Sequence, residues 1–260
     1  MCDHTLPFYD PQPLPGQTIA VWFSRGAASA VAAMIAVRAY QRTNEVRVLT
    51  NPVKEEHSDN TRFEKDVAGW IGVEIEHVTN HKFPSASCDD VWRSVRGMSF
   101  PKGAPCTVEL KKSARQQWEQ KHSPDWHVLG FTSDEKKRHD RFTLTERSNV
   151  LPVLIWCGID KQACMSILAS NGIRPPKMYD LGFPNANCIG CVKATSPTYW
   201  NAVRREFPDV FRKRAELSRE LGARLVRVKS ERVFLDELDP QVKGRPMKSL
   251  TLECGTFCEE

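Results

Sequence analysis

Residues 18–31 read TIAVWFSRGAASAV, and this stretch decides the fold. Thr18 to Phe23 is a short apolar, β-branched run, the pattern of a buried strand. Ser24 to Gly26 turn the chain. Ala27 to Arg42 is rich in alanine, contains no Gly or Pro, and predicts a helix. Working outward, Val46 to Thr50 predicts a second strand. Ser58 is placed to cap a helix running to about Ile71, and Ile75 to Val78 predicts a third strand. Strand–helix–strand–helix–strand implies a parallel sheet covered by helices on both faces.

The rest of the chain continues this alternation with less regularity. Two further helices are expected before residue 125, one of them opened by Pro105 and carrying Cys106 to Lys121. Trp126 to Leu129 predicts a strand ending at Gly130. The charged segment Ser133 to Thr145 is expected to be helical at its start. Lys161 to Asn171 predicts a helix closed by Gly172, and Pro175 to Ala186 a loop. Helices are expected from Ser196 or Pro197 to Phe207 and from Asp209 to Leu221. The segment after Glu231 is weakly patterned. The expected partition is an N-terminal extension (1–17), an α/β domain (18–230) and a cysteine-bearing C-terminal extension (231–260).

Hydrophobic residues make up 40% and charged residues 27% of the 260-residue chain, which suits one globular domain with an appendage. No run approaches the roughly 18 apolar residues of a membrane helix. Met1 to Gly16 carries four prolines and no apolar core of a secretory signal, so a cytoplasmic location and no membrane partner are expected. A formal charge of +5 suits an anionic ligand and equally a mildly basic solvated surface. Nine cysteines then stand out. Disulfides are a poor use for them in a reducing compartment, and metal or redox chemistry is a better one. Cys157 and Cys164 sit among apolar neighbours and read as core. Cys2 and Cys88 have no partner at a useful spacing.

Two features carry chemistry. In the first βα turn, Gly26 permits close backbone approach, Ser24 and Ser29 offer hydroxyls, Arg25 offers charge, and the amides at the helix start favour phosphate. A plain βα turn is the other reading. The second feature is a set of cysteines: Pro105-Cys106-Thr107, then Asn187-Cys188-Ile189-Gly190-Cys191-Val192-Lys193, then Glu253-Cys254-Gly255-Thr256-Phe257-Cys258. A C-x-x-C places two thiolates on one turn, able to grip an iron–sulfur cluster, a zinc ion or a redox disulfide. Zinc held by Cys188, Cys191, Cys254 and Cys258 is one arrangement of these ligands. Asn51, after the second strand, is placed for adenine or ribose. Arg138 and Arg141 suit a phosphate or sulfate, with a solvated charged helix as the alternative. His57 and His77 read as structural or surface residues, and Tyr199 and Trp200 as core.

The turn Ser24-Arg25-Gly26-Ala27-Ala28-Ser29 resembles the PP-loop of the adenine nucleotide alpha-hydrolase superfamily. It is more similar to the phosphoadenylyl and adenylyl sulfate (PAPS/APS) reductase branch than to the pyrophosphatases, which usually carry Asp where Ala28 stands. The resemblance implies a Rossmann-like, HUP-type fold, with ATP, APS or PAPS as the adenine nucleotide. Gly130 to Arg138 resembles the superfamily's Gly-x-x-x-x-Glu-x-x-Arg substrate segment, which adds Glu135 to the nucleotide-binding candidates. Cys106, Cys188 and Cys191 resemble the cluster motif of adenylyl sulfate reductases, with Pro105 in place of the first cysteine. That implies a [4Fe–4S] cluster whose fourth ligand is Cys254 or Cys258, or whose fourth iron is open. Glu253-Cys254-Gly255 resembles the catalytic segment of sulfonucleotide reductases, which makes Cys254 the nucleophile and thioredoxin the partner; Thr256 and Phe257 replace the usual Leu/Ile-His. An open iron would instead resemble the thiolation enzymes of the same superfamily, with a nucleic-acid base as substrate. A nucleotide-binding module with structural zinc is the non-enzymatic alternative.

Overall fold

The computed structural model describes residues 11–101 and 103–247. Five strands form an all-parallel sheet in the order β3-β2-β1-β4-β5: β1 (Thr18–Trp22), β2 (Glu45–Thr50), β3 (Ile75–His77), β4 (Trp126–Val128) and β5 (Val150–Leu151). Side chains alternate across β1. Ile19 and Val21 face the layer of α1 (Ala27–Tyr40), α2 (Asp59–Ile71), α7 (Val153–Trp156) and α8 (Lys161–Ser170). Ala20 and Trp22 face the opposite layer, with Trp118 of α5 (Ala114–His122) and Phe142 of α6 (Lys136–Thr145). Helices therefore cover both faces, as the alternation implied, and the chain has the Rossmann-like α/β fold. α1 is alanine-rich because it lies inside: eleven of its fourteen residues are buried.

Beyond the sheet, a third apolar cluster gathers α3 (Cys88–Val95), a short α4 (Pro105–Thr107), α10 (Pro197–Glu206) and α11 (Pro208–Glu220). It also takes in the hairpin of β6 (Val226–Val228) and β7 (Glu231–Val233), so the boundary drawn at residue 230 falls in the hairpin's turn. All four site cysteines described below belong to this cluster.

Several expectations need local correction. Ser58 makes no side-chain cap, because its backbone is already helical at φ −57° and ψ −28°. The segment Ser133 to Thr145 is helical along its whole length, not only at its start, with a 3-10 turn (Ser133–Glu135) leading into α6. Pro175 to Ala186 contains the short helix α9 (Lys177–Asp180). The β6–β7 hairpin turns through Lys229 at φ 53°, without the glycine that would have marked it.

His127 on β4 sits inside the second layer, where Trp22 Nε1 donates to its Nδ1 at 3.1 Å. Burial, with the neighbouring Arg147 and Arg115 charges, pulls its pKa from 6.5 down to about 2. The unfolded chain takes up a proton near pH 6.5 that the folded chain refuses. Stability is therefore full above that pH and falls as pH drops from 6.5 toward 2, by about 1.4 kcal/mol per unit. Urea titrations at several pH values should show this slope in the wild type and a flatter one in His127→Gln. Equal slopes would remove His127 as the cause.

Candidate functional site

In a sheet of this order the strand sequence reverses between β1 and β4, and ligands bind at the carboxyl ends of the strands there. The two segments that leave those ends are the Ser24–Gly26 turn and the Gly130 segment. They touch: a Cβ on Gly130 would lie 2.8 Å from the Ser29 amide nitrogen, so only glycine fits. Ser29 organises the turn. Its hydroxyl accepts from the amides of Ser24 at 3.1 Å and Gly26 at 3.3 Å, and donates to the Gly26 carbonyl at 3.0 Å. Ser24 Oγ donates to Ser29 Oγ at 3.1 Å. The Tyr179 hydroxyl, from α9, accepts from the Ala27 amide at 3.5 Å and so sits over the start of α1.

Arg25 takes a left-handed backbone at φ 59° and is buried. Its guanidinium pairs with Glu56 at 3.3 Å and Glu64 at 2.5 Å, so its charge anchors the turn to the β2–α2 loop and α2. Asn51 stands at the end of β2, where its amide donates to the Val78 carbonyl at 2.8 Å and ties β2 to β3. Glu135 accepts from the Thr132 amide at 3.1 Å and hydroxyl at 2.9 Å. Its other oxygen accepts from Arg138 at 2.8 Å, and Arg138 also lies over the Phe131 ring. Arg141 is exposed on α6.

The cysteines converge. Cys106 from α4, with Cys188 and Cys191 from the loop before α10, lines one pocket of about 340 Å³ including the solvent at its mouth. Thr107, Lys111 and Lys193 share its wall. The helix that carries Cys106 is π-helical from Val108 to Ser113. In an α-helix a residue five places on would point about 140° away. The wider turn brings Lys111 round to the pocket of Cys106. Gly190, at φ 69°, turns the C-x-x-C loop, and the buried Tyr199 hydroxyl accepts from the Cys191 amide at 2.8 Å. Tyr199 and Trp200 are core residues as expected, and Tyr199 also fixes the ligand loop.

Cys88 corrects the sequence reading. It lines the same pocket, and its thiol hydrogen-bonds Cys106 and Cys188. Those contacts, then burial, push its pKa well above the ordinary thiol value. The missed signal was local: Ser87 followed by Cys88-Asp89-Asp90 is a helix start, and Ser87 does accept from the Asp90 amide. Cys164 is buried core, its thiol pushed up to about 12 by burial. Cys2, Cys254 and Cys258 lie outside the described residues.

None of the described cysteines is in a disulfide. Among the described residues no three His, Cys, Asp or Glu side chains form a ready cage for a single ion. Four cysteines lining one pocket supply the sulfur donors that zinc or a [4Fe–4S] cluster takes. Lys111 and Lys193 on the wall suit the negative charge of a thiolate-bound centre.

Glu56 bridges the two halves of the site. Its buried carboxylate meets Arg25 of the turn at 3.3 Å and Lys111 of the cysteine pocket at 4.0 Å, and accepts from Asn60 at 3.3 Å. No helix among the described residues is long and apolar enough to cross a membrane.

No protein-family model and no curated protein matches the chain. Among solved structures, the chain is similar to the phosphoadenylyl-sulfate (PAPS) reductase of Candida auris in its phosphate complex. The identity is 11%, covering 64% of this chain and 78% of that one, with a TM-score of 0.45. It is also similar to the U34-tRNA thiolase NcsA of Methanococcus maripaludis with its [4Fe–4S] cluster, at 11% identity over 80% of this chain and 70% of that one, with a TM-score of 0.46.

Proposed function

We propose that this chain is a sulfonucleotide reductase-like enzyme. It binds APS or PAPS at the Ser24–Ser29 turn, holds a [4Fe–4S] cluster in the cysteine pocket, and releases sulfite. The observation that supports the reading is the Arg25–Glu56–Lys111 bridge, which joins the Ser24–Ser29 turn to a pocket lined by four cysteines. Cys106, Cys188 and Cys191 would hold the cluster, which when bound would tune the electrostatics at the sulfate end of the substrate.

The remaining chemistry belongs to the chain. The amides at the start of α1 orient phosphate oxygens, and the hydroxyls of Ser24 and Ser29, which bond within the turn in the structure, turn outward to join them. The Cys254 thiolate attacks the sulfate sulfur. An S–S bond forms, the S–O bond to the nucleotide breaks, and the nucleotide leaves as its 5′-phosphate. A dithiol reductant of the thioredoxin kind then attacks the Cys254 sulfur. Sulfite leaves, the dithiol closes to a disulfide after supplying two electrons, and Cys254 returns as a thiolate. The test is sulfite release from APS and PAPS by the anaerobically reconstituted full chain with thioredoxin. Cys254→Ser should abolish turnover; undiminished sulfite release from that variant overturns the mechanism.

A further inference from the structure

Cys88 is placed with unusual care for a residue that no spacing motif marks. It opens α3, and Glu55 reaches over from the β2–α2 loop to hold that opening. One Glu55 oxygen accepts from the Cys88 amide at 2.8 Å; the other accepts from Ser87 Oγ at 2.7 Å and the Asp89 amide at 3.5 Å. The Glu55 carbonyl accepts from the Ile189 amide at 2.9 Å, inside the Cys188–Cys191 turn. A single residue therefore joins the backbone of Cys88 to the backbone of the C-x-x-C loop. A second brace lies on the far side. Arg214 of α11, 4% exposed, pairs with Asp89 at 2.5 Å, lies over Trp92, and packs beside Gly190. The thiol so held is 2% exposed and contacts the sulfurs of Cys106 and Cys188.

We propose that Cys88 is the fourth thiolate of the cluster, in place of the cysteine that Pro105 replaces, so that the site is closed by four ligands from the pocket and none from the C-terminal segment. The proposal rests on the cluster reading above. It has a functional consequence. Four thiolates on a [4Fe–4S] group leave no iron open to carry an added sulfur. Sulfur transfer through an open iron is then disfavoured, and Cys254 is released from ligand duty for attack on the sulfonucleotide.

The test reconstitutes the full chain anaerobically with iron and sulfide, in the wild type, Cys88→Ala, Cys88→Ser and the double variant Cys254→Ala/Cys258→Ala. Iron per chain and the paramagnetic resonance spectrum of the reduced protein are read with and without a small added thiol. The wild type and the double variant should carry equal iron and spectra indifferent to the thiol. Both Cys88 variants should lose at least half their iron, or keep a cluster whose spectrum shifts when the thiol is added. Cys88 variants identical to the wild type, with iron lost from the double variant, would place the fourth ligand in the C-terminal segment and overturn the proposal. Circular dichroism identifies a variant that has simply failed to fold; Cys88→Ser, close in size to the native residue, then carries the test. A folded wild type that takes no iron removes the cluster reading instead. Cobalt(II) then probes the same sulfurs: thiolate-to-cobalt bands that weaken in Cys88→Ser keep Cys88 as a ligand, and unchanged bands exclude it.

Discussion

Glu56→Ala should destabilise the chain by about 3–5 kcal/mol, the cost of breaking a buried ion pair by removing one partner. Glu56 has only 5% of its side chain exposed and serves Arg25, Lys111 and Asn60 at once. Removing it leaves Arg25, among the described residues, with Glu64 as its carboxylate partner and strips Lys111 of this counter-charge, both inside the protein. Arg25 holds a left-handed backbone that a non-glycine residue adopts only when its surroundings demand it. The turn should therefore loosen, and nucleotide affinity should fall together with stability. Glu56→Gln, which keeps a hydrogen-bond acceptor, should lose less. Urea unfolding and calorimetric APS binding measure the two effects. A Glu56→Ala variant within about 0.5 kcal/mol of the wild type, the range of an ordinary surface change, would show that the bridge does not hold the site together.

Cys106→Ala should lower the iron content of anaerobically purified protein by more than about tenfold, since changes one shell further out already cost 10–100-fold in metal affinity. Cys106 stands at the helix start opposite the C-x-x-C loop, across a pocket with two lysines on its wall. No other described cysteine on that helix can replace it. The fold should survive, because the truncated side chain lies at the edge of a pocket, whereas Trp92, Trp200 and Tyr199 fill the surrounding core. Iron analysis with circular dichroism checks both halves. Full iron in a folded Cys106→Ala would detach the helix from the metal site.

The parts of this arrangement that were legible in the sequence are those set by local pattern. β1, α1 and β2 follow from an apolar β-branched run, an alanine-rich run and a second apolar run, and each stands where it was expected. The C-x-x-C turn and Cys106 could be paired only through resemblance, since the two lie far apart in the chain. Cys88 was illegible for a physical reason. What brings it to the pocket is Glu55, through side-chain and main-chain bonds that leave no periodic trace. Arg25 in the first βα turn reads as a ligand for an anion, and its pairing with two carboxylates of the next βα unit likewise leaves no local pattern. β5 and the β6–β7 hairpin are two and three residues per strand, too short for alternation to register.

The claim on which the rest depends is that four separated thiols hold one iron–sulfur group. Its most direct measurement is the iron and acid-labile sulfide content of the anaerobically purified wild-type chain. About four iron and four sulfide per chain, in a brown protein, is the predicted result; a colourless, folded protein carrying zinc and no sulfide would contradict it.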